Sequence, residues 1–205
     1  MTKRVADHPL PPEGFRELPI APTPLREGET IWRITPSEYQ SSPLHYGTSG
    51  AYRFDDPNGA FGVCYLDLEP FGAFLETFAR VPRDFNFFVT TEALRKRVAL
   101  GVSVEEKLNL FDITGRNLAR IGADNRLSSG ADYAVSQAWS RAVHEHPSRF
   151  DGILYVSRHD PEQECVALFG RAKDKVRVSF FQPLNGRPFE NTLGEIMTRY
   201  AIGLG

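Results

Sequence analysis

Two hydrophobic periodicities follow one another irregularly along this chain, and their order sets the fold class. "TIWRIT" (30–35), "AYRFD" (51–55) and "GVCYLDLE" (62–69) have strand composition and are separated by segments rich in Pro, Gly, Asn and Ser. "GAFLETFARV" (72–81) then changes the period: Phe71, Phe74, Leu75 and Phe78 fall at i, i+3, i+4 and i+7, the stripe of a short amphipathic helix. Between 85 and 120 the reading is strand-like "FNFFVTT", a short helix near Thr91 to Arg97, and strand-like "KLNLFDIT" closed by Gly115. The clearest helix is "ADYAVSQAWSRAVHEHP" (131–147), with Val135, Ala138, Trp139, Ala142 and Val143 on one face and Pro147 as its stop. Strands "GILYVS", "CVALFG" and "KVRVSFF" follow it. A last helix is expected over Thr192 to Ala201, with Thr192 and Glu195 as a capping box and Leu193, Ile196, Met197 and Tyr200 inward. No regular βαβ alternation builds a parallel sheet here, so the expected class is α+β: a single domain on a mixed, split β-sheet.

Prolines at 9, 11, 12, 19, 22 and 24 oppose both helix and central strand, so residues 1–29 read as an extended arm and 30–205 as the domain. With 41% hydrophobic residues and 15 Phe in 205 residues, the chain has enough apolar surface for one core. The formal net charge of -2 and the absence of long Lys/Arg runs argue against direct nucleic-acid binding. Cys64 and Cys165 lie in apolar strand-like runs, where a reduced thiol packs as a small hydrophobe. Neither an exported leader nor a run of 18 apolar residues is visible, so the expected location is cytoplasmic, with no membrane partner.

Several polar residues stand in unusual company. Strand alternation puts Tyr65 beside Val63 and Asp67, on the more polar face of its run. Glu76 lies about 140° around the helix from Phe71, off the apolar stripe, where a solvated carboxylate is the ordinary outcome. Arg33 within "IWRI" and Arg53 between Tyr52 and Phe54 each need a carboxylate, a carbonyl or a ligand anion, because an unpaired buried charge is costly. Ser157, Arg158, His159 and Asp160 follow directly on "ILYV", four polar groups at the mouth of a buried strand. Adjacent strand residues face opposite ways and no elbow glycines flank Ser157, so a nucleophilic triad is not expected. "HEHP" (144–147) has no third ligand nearby and its histidines suit a helix C-terminus, so no metal is expected. "GADNRLSSG" lacks the Lys and spacing of a phosphate loop.

Together these residues resemble the RES domain family, named for an Arg, a Glu and a Ser. The resemblance runs from about Ile31 to Phe181 and rests on Arg33 in "IWRI", Arg53 in "YRFDDPNGAFG", Tyr65 in "CYLDL", Glu76 in "AFLETF", and Ser157 in "DGILYVSRHDP" followed by "ALF". It implies a fold similar to ADP-ribosyltransferases of the diphtheria-toxin type, with NAD as substrate and no separate cofactor. It implies an enzyme that cleaves the nicotinamide–ribose bond, acting as glycohydrolase, phosphorylase or ADP-ribosyltransferase. Arg33, Tyr65 and Glu76 are then the catalytic core, with Arg53 and Ser157 holding the dinucleotide. The implied partners are an Xre-type antitoxin and a second copy of the chain in a homodimer. The acceptor, whether water, phosphate or a protein side chain, stays open. So does a noncatalytic reading, a nucleotide-binding or protein-interaction module on the same fold. The proline-rich arm and the long segment from Glu76 to Ser157 depart from compact members of that family.

Overall fold

The computed structural model describes residues 10–79 and 87–205. Its strands are β1 (Thr23–Leu25), β2 (Thr30–Pro36), β3 (Val63–Asp67), β4 (Phe87–Val89), β5 (Arg97–Val104), β6 (Leu108–Asp112), β7 (Gly152–Val156), β8 (Glu164–Phe169), β9 (Val176–Pro183) and β10 (Ile202–Leu204). Its helices are α1 (Pro70–Phe78), α2 (Thr91–Arg95), α3 (Gly115–Arg120), α4 (Arg126–Ser129), α5 (Ala134–Glu145) and α6 (Arg187–Arg199). Eight strands form one sheet in the order β1-β6-β7-β8-β3-β2-β5-β9, and β4 and β10 pair separately. The large sheet is mixed, with β6 and β7 parallel and the other neighbours antiparallel. The α+β class with a mixed sheet is therefore the observed one.

The sheet parts in the middle. β2 pairs with β5 from Thr30 to Pro36, but meets β3 only at Trp32 and Asp67. Five strands thus form one blade and three the other. Alternation then decides what each blade buries. Cys64, Leu66, Leu154 and Leu168 of the first blade pack with Ile31, Leu100 and Val102 of the second in a shared core. On the outer face of the five-stranded blade, Ile153, Cys165, Ala167 and Phe169 pack with Trp139 and Val143 of α5. On the outer face of the three-stranded blade, Trp32 and Ala99 meet Phe74 and Leu75 of α1 and Phe189 and Ile196 of α6. Cys64 and Cys165 are buried and unbridged. Among the described residues no helix is long and apolar enough to cross a membrane.

Local chemistry explains where the sequence reading and the structure differ. Residues 51–55 form no strand: they are a turn-rich loop, and Phe54 is fully buried as its anchor. Asp55 and Asp56 cap that loop, accepting from the backbone N–H groups of Tyr52, Asn58 and Ala60, the habit of Asp in turns. β5 was not anticipated as a strand; "RVALGVSV" is buried on both faces and shows no alternation. Thr192 is not a cap, because α6 begins at Arg187 with Pro188 in its first turn, although the inner stripe of Leu193, Ile196, Met197 and Tyr200 does face the core. In α5 the buried face includes Ser136 and Ser140, whose hydroxyls donate to the carbonyls of Leu127 and Phe54 at 2.7 and 2.6 Å. Residues 10–29, expected as an extended arm, are strapped down: β1 pairs with β6, and Phe15 packs against Phe111, Trp139 and His146. Parts of three expected elements, residues 1–9 of the arm, Arg80 and Val81 of the first helix, and Phe85 and Asn86 of the following strand, lie outside the described residues.

Candidate functional site

A cavity of about 910 Å³ opens where β2 and β3 separate. Its walls come from β2 (Arg33, Thr35), β3 (Tyr65, Asp67), α1 (Glu76), the loop from Tyr39 to Arg53, and Tyr133, Arg158 and His159. The volume is at the upper end of the range that accommodates small-molecule and cofactor-sized ligands. Four of the five residues singled out in the sequence, Arg33, Arg53, Tyr65 and Glu76, line it. Ser157 does not; it sits behind the wall with 3% of its surface exposed.

Each side chain is fixed by identifiable bonds. Arg33 spans the gap between the blades, donating from Nη1 to the Tyr65 carbonyl at 2.6 Å and approaching Cys64 Sγ at 3.8 Å. Its Nε is buried with no hydrogen-bond partner among the described residues. The Arg53 guanidinium, 8% exposed, donates to the Gly130 carbonyl at 2.8 Å and lies 4.6 Å from the centre of the Tyr133 ring. Burial lowers its pKa and Arg158 adds to that, while Tyr133 and Glu76 act in the opposite sense. The Tyr65 hydroxyl donates to Asp55 Oδ1 at 2.9 Å and accepts from the Phe54 N–H at 3.0 Å. Burial, reinforced by the Asp55 carboxylate, pushes the phenol pKa far up, so it stays protonated.

Glu76 projects from α1 on the side away from Phe74 and Leu75, as the helical spacing requires. It is nevertheless half-buried, because the cavity lies on that side. Ser157, at the end of β7, donates its hydroxyl to Glu76 Oε1 at 2.7 Å and accepts the His159 N–H at 3.1 Å. Two residues 81 positions apart are thereby joined. Asp160 turns away, accepting from the Tyr200 hydroxyl at 2.7 Å, so Ser157, His159 and Asp160 form no triad. The two histidines of "HEHP" face different aromatic groups: His144 stacks on Phe61 at 3.9 Å, and His146 lies between Phe15 and Phe150. No group of three or more His, Cys, Asp or Glu stands in metal-binding proximity among the described residues.

Sequence reasoning missed Asp55, Tyr52, Tyr133 and Arg97, all of which line or brace the cavity, whereas Arg158 and His159, part of the polar mouth after "ILYV", do line it. Of the four missed, only Asp55 left a local trace, in the turn composition of "DDPNG"; the other three reach the site through tertiary packing. Four arginines on the walls, Arg33, Arg53, Arg97 and Arg158, outnumber the two carboxylates Asp67 and Glu76, which gives the cavity a cationic bias.

The model of the RES domain family matches residues 30–186. The chain belongs to the RES domain family. This RES domain is 26% identical over 117 residues to "Probable toxin y4kH" of Sinorhizobium fredii (strain NBRC 101917 / NGR234), a match covering 57% of this chain and 90% of that protein. In three dimensions it is similar to a chain from the crystal structure of the M. tuberculosis MbcT-MbcA toxin-antitoxin complex, with a TM-score of 0.62. That alignment covers 83% of this chain and 92% of the other at 15% identity, a likeness of fold.

Proposed function

We propose that this protein is an NAD-consuming enzyme that breaks the nicotinamide–ribose bond, and that it serves as the toxin of a toxin-antitoxin pair. The observation that carries the reading is the Ser157–Glu76 hydrogen bond of 2.7 Å, which holds a carboxylate in the wall of a cavity otherwise rich in arginine. The bond to nicotinamide breaks with its electron pair going to the ring nitrogen. The pyridinium becomes a neutral leaving group that needs no proton, and positive charge develops on the ribose, as in glycoside hydrolysis. One carboxylate beside the ribose therefore suffices, and Glu76 supplies it as preorganised negative charge.

Arg33 and Arg53 supply forked donors for the pyrophosphate, and the orphaned Nε of Arg33 is the kind of buried donor that a ligand oxygen satisfies. The Tyr65 ring, its hydroxyl engaged elsewhere, offers a flat surface for nicotinamide. Ser157 acts through Glu76 instead of touching the dinucleotide. After nicotinamide leaves, water, phosphate or a protein side chain attacks the anomeric carbon from the side the leaving group has vacated or its opposite. The toxin role and an antitoxin partner are supported by the names of the two similar proteins; the Xre type of that antitoxin and a homodimer are what the family resemblance implies.

The test is incubation of purified protein with NAD, with and without phosphate, with nicotinamide measured by chromatography and the second product identified by mass. Glu76→Gln slows release on the order of 100- to 1000-fold, with the melting temperature little changed. Wild-type protein that leaves NAD intact under every condition refutes the enzyme reading. Tight NAD binding in calorimetry without turnover would replace it with the noncatalytic one.

A further inference from the structure

We infer that Asp55 is a positioning residue that holds the Tyr65 ring, through its hydroxyl, as a fixed flat wall of the cavity. The consequence for turnover rests on the function proposed above; the tether itself does not. Asp55 is fully buried. Its Oδ1 takes the Tyr65 hydroxyl at 2.9 Å, and its Oδ2 takes the Tyr52 N–H at 3.1 Å and the Ser49 hydroxyl at 3.2 Å. Every one of these donors is neutral. The adjacent Asp56, equally buried, is instead paired with Arg141.

A buried carboxylate with no cation paired to it among the described residues is an expensive way to fill space, and Phe at 65 with an apolar residue at 55 would fill it without desolvating a charge. What the pair achieves that an apolar pair would not is orientation. A phenylalanine ring held only by packing can tilt into an open cavity of this size. The Tyr65 ring is pinned at its far end by two bonds, one given to Asp55 and one received from the Phe54 N–H. The same carboxylate fixes the backbone of Tyr52, whose ring meets Tyr65 edge-on at 5.9 Å. Arg53, between these anchors in sequence, is held by the same short loop. With its hydroxyl committed in both directions, Tyr65 contributes a ring face and not a proton.

Three variants test this: Tyr65→Phe, Asp55→Ala and the double substitution. Freeing the ring misplaces the reacting groups, so Tyr65→Phe lowers kcat for nicotinamide release about 10- to 100-fold while KM for NAD moves much less. Asp55→Ala loses at least as much, and the double variant is no slower than Asp55→Ala, because the two act as one unit. A readout independent of NAD is the Tyr65 hydroxyl proton, expected in wild-type protein as a resonance protected from solvent exchange and absent from both single variants. Should Asp55→Ala fail to fold, Tyr65→Phe and the proton resonance decide the matter. Wild-type kcat in Tyr65→Phe, losses that multiply in the double variant, or no protected hydroxyl in the wild type each overturn the inference. Should the wild-type protein release no nicotinamide, the proposed function fails, and the resonance alone decides whether Asp55 tethers Tyr65.

Discussion

Replacing Ser157 with alanine removes one hydroxyl and separates two roles for this residue. In the structure that hydroxyl is 2.7 Å from Glu76 Oε1 and is shielded from the cavity. A hydrogen bond to an ionised acceptor contributes about 1.5–3 kcal/mol. If all of it orients Glu76 in the transition state, the loss corresponds to about 10- to 150-fold in kcat, at roughly 1.4 kcal/mol per tenfold. Glu76 is only half-buried, so water partly replaces the lost donor, and about 10-fold is the expected result. The His159 N–H also loses its acceptor, which loosens the turn carrying Arg158 and His159 on the cavity wall. Steady-state nicotinamide release at varied NAD, together with a thermal melt, gives kcat, KM and stability on the same preparation. A fall in kcat with little change in KM supports orientation of Glu76. A raised KM with kcat intact would mean that Ser157 contacts the dinucleotide, as the family resemblance implies, and would refute the positioning argument. A change of less than twofold in both would remove Ser157 from the mechanism.

Other expected outcomes concern the frame around the site. Phe15→Ala empties a position enclosed by Phe111, Trp139 and His146 and lowers unfolding free energy in urea by about 3–5 kcal/mol; a loss below about 1 kcal/mol would show that residues 10–25 contribute little to the core. Arg141→Met leaves the fully buried Asp56 carboxylate without its cation and costs about 3 kcal/mol in the same assay, the lower end for a broken buried pair because Arg141 itself is 37% exposed. His144 is held down to about 4, first by burial and then by the nearby Arg171 guanidinium, from an ordinary value of 6.5. The unfolded chain therefore binds this proton before the folded one, and stability is lost as pH falls from about 6.5 towards 4; in His144→Phe a denaturation series over that range has a shallower slope. Gly101→Ala would put a methyl carbon 2.1 Å from the Phe180 ring, so that ring must leave Trp32, at a cost of about 1–3 kcal/mol in unfolding experiments.

What could be read from the sequence and what could not divide along a physical line. Elements that bury one face announce themselves by period: β3, with Cys64 and Leu66 inward to the shared core, and α5, with Trp139 and Val143 on one stripe, were both legible. β5 was not, because a strand sandwiched between two cores loses alternation, and its neighbours β2 and β9 are set by pairing over long sequence distances. The run "AYRFD" misled in the other direction, since aromatic content suits a strand as well as a loop anchored by one buried Phe. At the site the same limit takes a sharper form. Periodicity placed Glu76 off the apolar stripe correctly, yet it could not separate solvent from a cavity, since both lie outside the core. That distinction depends on the parting of β2 from β3, where the ladder is reduced to a single pair at Trp32 and Asp67 and Arg33 bridges to the Tyr65 carbonyl. The opening between the blades is thus a property of strand pairing, and it converts a helix residue with an ordinary surface pattern into a carboxylate facing arginines. A composition-based reading can nominate such residues only one at a time; their meeting is written in the register of the sheet.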